Sequence, residues 1–180
     1  MINNNNNNNN NNQDFSCYDF SCYDIHTQPF TLNGQFIPCR LVDIIDGDSL
    51  VVILPVFNNY YKYHIRINGI DTCEIKSHNI QNKNLALQAR LEILCLITNE
   101  QHTDTSITRN DIKTSLNNQV YILYLDCKDF DKYGRLLADV YIDFNKNISI
   151  SKHLLSKHLA YIYNGDTKLT ENEQLDIIHT

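Results

Sequence analysis

Beginning near Phe36, the chain alternates between apolar, β-branched runs and short polar breaks. "FIPCRLVDII" and "SLVVILPVF" are separated by "DGD", and "YKYHIRINGI" follows Asn58-Asn59, so three strands joined by turns are predicted. In the third, Tyr63, Ile65 and Ile67 share one face while His64 and Arg66 take the other, which sends Arg66 away from the apolar side. Leu87, Leu91, Leu94 and Cys95 recur at helical spacing and predict an amphipathic helix over roughly 82–97. The stretch 99–118 is polar and aperiodic and reads as an inserted surface loop. "VYILYLDC" and "LLADVYIDF" are two further strands bracketing the polar turn "KDFDKYGR". A second helix starts near Ser149 or Ser151 and carries Leu154, Leu155 and Leu159. Glu171 to Ile178 has helical character but is too short to hold without docking.

Three strands, a helix, two strands and a helix is the element order of a five-stranded Greek-key barrel of the OB type, an α+β, mainly β fold with two to three helices. The expected organisation is an Asn-rich disordered tail over 1–34, a folded domain over 35–165, and a short acidic tail or helix over 166–180. Asn3 to Asn12 is unbroken asparagine, which buries no apolar surface to offset the entropy of ordering it. "FSCYD" then occurs twice in succession, either as a docking tag or thiol pair, or as a by-product of slippage beside the low-complexity tract.

Composition narrows the function classes. The chain of 180 residues is 42% hydrophobic, enough for one domain with a core. Its formal charge of -6 comes from the ends, because between Gly34 and Asn164 fourteen Lys and Arg balance fourteen Asp and Glu. A neutral domain admits a local basic groove without predicting one. The six cysteines show no CxxC pair or zinc-like spacing, and no leader-like or membrane-spanning apolar segment is present. An intracellular, cytoplasmic protein with reduced thiols is expected, and no protein partner is inferable.

The remaining signal lies in charged residues at strand ends: Asp46 and Asp48 in "IDGDSL", Arg66, Asp71 and Glu74 in "RINGIDTCE", and Lys132 and Arg135 in "DKYGR". Each turn alone is ordinary, since Asp and Gly tolerate turn dihedrals. Together they supply what phosphodiester hydrolysis demands, which is a hard cation, fixed positive donors and a base. Asp48 and Asp71 with a main-chain carbonyl offer oxygen ligands suited to Ca2+. Arg66 and Arg135 can grip phosphate with planar, permanently charged forks. Glu74 is left to orient or deprotonate water.

These three motifs, in this order and interleaved with these strands, resemble the thermonuclease family of staphylococcal-nuclease-like domains over roughly Arg40 to Tyr163. The resemblance implies an OB barrel with helices and calcium-dependent cleavage of DNA and RNA. It implies calcium-ligand roles for Asp48, Asp71 and the Thr72 carbonyl, with Asp46 close behind, and catalytic roles for Arg66, Glu74 and Arg135. Lys132 and Tyr133 would contact nucleotide phosphate. "AYIY" resembles the segment that would bring Tyr161 and Tyr163 beside the nucleotide, although plain packing explains them as well. Ser49 stands where the family usually has Thr. Cys73 replaces its usual proline before Glu74, which frees the turn and puts a thiol near the site. Two other readings stay open. An OB module could hold nucleic acid or a peptide without cutting, and a carboxylate pair could serve a glycosidase, although that chemistry has no use for two arginines. The histidines carry no comparable signal: His153 and His158 are five apart and read as surface or packing residues, and His64, which alternates with Arg66, has contact with a substrate only as its minor reading.

Overall fold

The computed structural model describes residues 18–165 and 167–178. The asparagine tract and the first three residues of the first pentad, Cys17 included, lie outside them. The chain divides after Phe30, and the barrel and its helices belong to the unit Thr31–Thr180.

Strands β1 (Phe36–Ile44), β2 (Ser49–Val56) and β3 (Asn59–Ile67) form an antiparallel meander, followed by the two-residue β4 (Ile70–Asp71). Helices α1 (Ile80–Thr98) and α2 (Arg109–Asn118) precede β5 (Ile122–Phe130) and β6 (Leu136–Tyr141). Then come α3 (Ile150–Ser156), the short β7 (Tyr161–Ile162) and α4 (Glu171–Ile178). The barrel closes in the order β1-β2-β3-β6-β5, with β3 and β6 parallel and the other pairs antiparallel. That is the five-stranded OB-type closure, and closure removes the unpaired edges an open sheet would leave. Alternate inward residues, among them Leu41, Leu50, Val52, Leu54, Ile65, Leu123 and Leu125, fill the interior. The β2–β3 hairpin turns through Phe57 and Asn58, both with positive φ (52° and 58°), as a two-residue primed turn requires.

Three expectations need correction. Among the described residues four helices accompany the barrel, not two or three. The supposed loop over 99–118 contains α2, which packs against β1 with Ile112 and Leu116 fully buried. Its apolar stripe is only those two residues, too thin for a periodicity argument, and a Thr108–Asp111 capping box starts it. Helix α1 turns a broader inward face than the expected stripe: Leu91 and Leu94 are buried as expected, but Asn82, Ala86, Ala89, Arg90 and Ile93 are buried with them, while Leu87 and Cys95 are only half-buried. Hydropathy favours large residues, but the barrel accepts the alanine side because it lets the helix come close. Asn79 caps its N-terminus by accepting from the Gln81 and Asn82 amides, and Asn99, at φ 56°, ends it in the left-handed conformation. α3 begins after the expected cap Ser149, and α4 occupies the expected segment, docked through Gln174 and Ile178.

Candidate active site

The "DGD" turn hands β1 to β2 and leaves Asp46 and Asp48 at the barrel end. Gly47 is required by proximity: a Cβ there would stand 2.7 Å from Ala89 Cβ and 2.8 Å from Thr72 Cγ2. The main chain of Asp48 is tied down by the Ile67 amide, which donates to its carbonyl at 2.8 Å. The antiparallel register places Ser49 opposite Arg66, so the acidic turn and the arginine strand meet directly.

Arg66 leaves the Ile65–Ile67 face as expected, yet it is not exposed: only 7% of it is accessible. One Nη forms an ion pair with Asp48. The other donates to Asp71 Oδ1 at 2.6 Å and to the Ile70 carbonyl at 3.0 Å. Asp48 also accepts from the Ser49 hydroxyl at 2.8 Å and from the Thr72 amide and hydroxyl at 3.2 and 3.3 Å. Asp71 is fully buried, and its second oxygen accepts from the Tyr161 hydroxyl. Burial and that bond hold the Tyr161 hydroxyl well above the usual phenol range. Asp46 is also pushed up, chiefly by desolvation, with bonds from Ser49 working the other way.

Around this floor runs a rim. Asp131 organises the β5–β6 turn: its Oδ1 accepts from the Tyr133 and Arg135 amides at 2.8 and 2.9 Å, and its Oδ2 accepts from Arg135 Nε at 2.7 Å. Gly134, at φ +79°, lets the turn close. Lys132 and Arg135 both lie over the Tyr133 ring, at 5.1 and 5.7 Å from its centre. Glu74, on the exposed turn after β4, pairs with Lys168 at 2.5 Å, and the same ammonium stands 3.2 Å from Asp71. Burial opposes the charge on Lys168, but the bond to Glu74 and the field of Asp71 outweigh it and raise its pKa.

A cavity of about 300 Å³ is lined by Asp46, Asp48, Arg66, Glu74, Lys132, Tyr133, Arg135 and Tyr163 together with Ser49 and Lys168. Asp71, Thr72 and Tyr161 do not line it; they lie buried beneath, at 0%, 2% and 3% exposure. Tyr163 stands with Arg66 at its ring, 6.0 Å from the centre. His64, two residues before Arg66 on the same face of β3, does not line this cavity and lines a different groove. Cys73 is buried with Ala86, Tyr161 and Ile178 in a small second core, and desolvation pushes its thiol up to about 11, so it is a packing residue and not a reactive thiol.

Sequence reasoning missed four contributors. Asp131 was legible as the first residue of an Asp-turn, four before Arg135. Lys168 belongs to a segment read as an acidic tail. Gln174 and Asn82 left no sequence signal: Asn82 Nδ2 donates to Gln174 Oε1 at 3.2 Å, and Gln174 Nε2 reaches the Tyr161 oxygen at 3.5 Å. They brace Tyr161 and through it Asp71.

A search of curated proteins finds no match. The family described as staphylococcal nuclease homologue matches residues 64–178, which span Arg66 and the β4 turn through the β5–β6 turn, β7 and α4. Asp46 and Asp48 precede that span and join it through the β2–β3 ladder. With nearly two thirds of its length matched on a closed OB-type barrel, the chain belongs to the staphylococcal nuclease homologue family.

Proposed function

We propose that this domain is a calcium-dependent nuclease that hydrolyses the phosphodiester bonds of DNA, RNA or both. The observation that carries the reading is the single cavity in which Arg66, Arg135 and Glu74 converge with Asp48 beside them. A phosphate entering it meets the guanidinium groups of Arg66 and Arg135, whose forks match its non-bridging oxygens and the charge that grows there as water attacks. Asp131 holds Arg135 against rotation. Glu74 is the base: its carboxylate is exposed at the rim, where it can take a proton from an attacking water. Lys132 and Tyr133 cover the phosphate from the turn, and Tyr163 stands beside Arg66. Tyr161 acts from below, fixing Asp71.

The oxygen donors at the acidic turn suit a hard cation: Asp46 and Asp48 bring carboxylates, Ser49 and Thr72 bring hydroxyls, and desolvation pushes the Asp46 carboxyl up. Among the described residues no three His, Cys, Asp or Glu side chains form a ready cage. Asp48, Asp71 and the Thr72 carbonyl would hold the ion with water completing its shell, and it would supply charge neutralisation and polarisation of water. Arg66 and Lys168 meanwhile balance the same carboxylates.

A second reading, a barrel that holds nucleic acid without cutting it, draws on the Lys168–Glu74 pair, which occupies the base. The test is cleavage of labelled single-stranded DNA and RNA with Ca2+, with EGTA, and by Arg135→Gly as control for contaminating nuclease. Arg135 suits this better than Arg66, whose removal strands two buried carboxylates. Calcium-dependent cutting lost in the variant is expected; binding without cutting would select the second reading.

A further inference from the structure

The catalytic cavity together with the floor beneath it is electrostatically even, with Asp46, Asp48, Glu74 and the buried Asp71 set against Arg66, Lys132, Arg135 and Lys168. It supplies chemistry but little long-range attraction for a polyanion. A second groove next to it is different. Of about 500 Å³, it lies on the outer face of β1, β2 and β3 under α2. Its charged lining is Lys62, Arg109 and Lys113 against Asp43 alone, with His64 beside them.

Asp43 is 4% exposed and does not cancel this charge so much as aim it. It holds Arg109 by both Nε and Nη2, at 3.0 and 2.5 Å, and stands 3.5 Å from Lys113 Nζ, fixing α2 on the barrel. The two cationic side chains still expose 41% and 46% of their surface. Lys62 is exposed and enters no ion pair among the described residues.

The groove continues the candidate site. Arg66, His64 and Lys62 occupy alternate positions of β3 and project from one face, opposite Ser49, Val51 and Ile53 of β2. Each step advances roughly 7 Å along the strand. A basic line therefore runs from the arginine in the cavity floor, over the apolar floor of Val51 and Ile53, to the cations of the α2 insertion.

We propose that this groove is an extended binding track for the phosphodiester backbone of single-stranded nucleic acid whose scissile phosphate lies at Arg66. The inference rests on the nuclease reading for the identity of the ligand. It gives the insertion a role: the 99–118 segment brings affinity for long strands to a catalytic cavity that has little of its own. With aliphatic side chains on its floor and no Phe, Tyr or Trp in its lining, the track grips backbone more than it reads bases.

The test measures binding of labelled oligothymidylate and oligouridylate, 3 and 15 nucleotides long, to the full chain in EGTA over a series of salt concentrations. The expected result is at least about tenfold tighter binding of the 15-mers than the 3-mers. Lys62→Glu should lower 15-mer affinity about tenfold and reduce the salt slope by roughly 0.7, the share of one phosphate contact on a single strand. Lys157→Glu, the same charge change in a separate pocket beside α3, should not. Equal losses in the two variants, no length dependence, no binding, or equal competition by a duplex would overturn the track. Cleavage by the unaltered chain is scored separately with Ca2+. Cutting without a Lys62 effect removes the track and keeps the nuclease, whereas a Lys62 effect without cutting does the reverse.

Discussion

The two halves of the candidate site are built in opposite ways. The floor, with Arg66, Asp48, Asp71 and Tyr161, comes from strands and the tight β1–β2 turn and is dry, each charge held by another charge or a hydroxyl. The rim, with Glu74 and the Lys132–Arg135 turn, comes from loops and is wet, its residues held by single ion pairs to Lys168 and Asp131. A buried ion pair is expensive to break, because the survivor is left charged in a poor solvent, whereas an exposed pair contributes about 0–1 kcal/mol. The same type of residue therefore has two duties in one cavity: floor charges hold the barrel end together, and rim charges are free to work.

That contrast can be broken by experiment. Glu74→Gln should lower turnover by about 10²–10⁴-fold while the urea midpoint stays put. A large stability loss would mean that the rim is structural after all. Asp71→Ala should cost about 3–5 kcal/mol in urea unfolding, since it strands Arg66 and unbonds Tyr161. A loss below 1 kcal/mol would place Asp71 with the rim. Gly47→Ala should destabilise by about 1–3 kcal/mol by pressing on Ala89 and Thr72, measured the same way, although no charge changes.

The smallest effect concerns Lys168, which spans both halves. Its folded pKa lies above the ordinary lysine value of 10.5, so the folded chain binds that proton more tightly than the unfolded one. The stabilisation is fully present below pH 10.5 and fades as pH rises through the folded value. Lys168→Met should thus be slightly less stable at neutral pH, with the gap to the unaltered chain narrowing in alkali. A constant gap in urea titrations across that range would remove the lysine from the electrostatics of the floor.

Legibility followed the same division. The barrel was readable because its strands alternate cleanly and its turns carry Gly, Asn and Asp. The charged motifs were readable because each side chain sits near its partner in sequence or at a strand end. What escaped depends on distant packing. Residues 109–118 carry two apolar anchors in a polar run, so nothing short of the barrel surface reveals that they fold onto it. The alanines on the inward face of α1 are placed by its closeness to Gly47, a long-range contact that hydropathy does not show. Lys168 and Gln174 lie some hundred positions from Asp71 and Asn82, and no local pattern could place them there.

The pairing of β4 with β7 has a consequence for the order in which the protein is made. Asp71 and Arg66 are synthesised long before Tyr161 and Lys168, which cover and neutralise Asp71. As a chain emerges from its N-terminal end first, the barrel strands are complete while the acid at their mouth still faces water. The last element to arrive then acts as a keystone, and a nascent chain stopped before β7 would hold its arginine and its acids with no finished cleft between them.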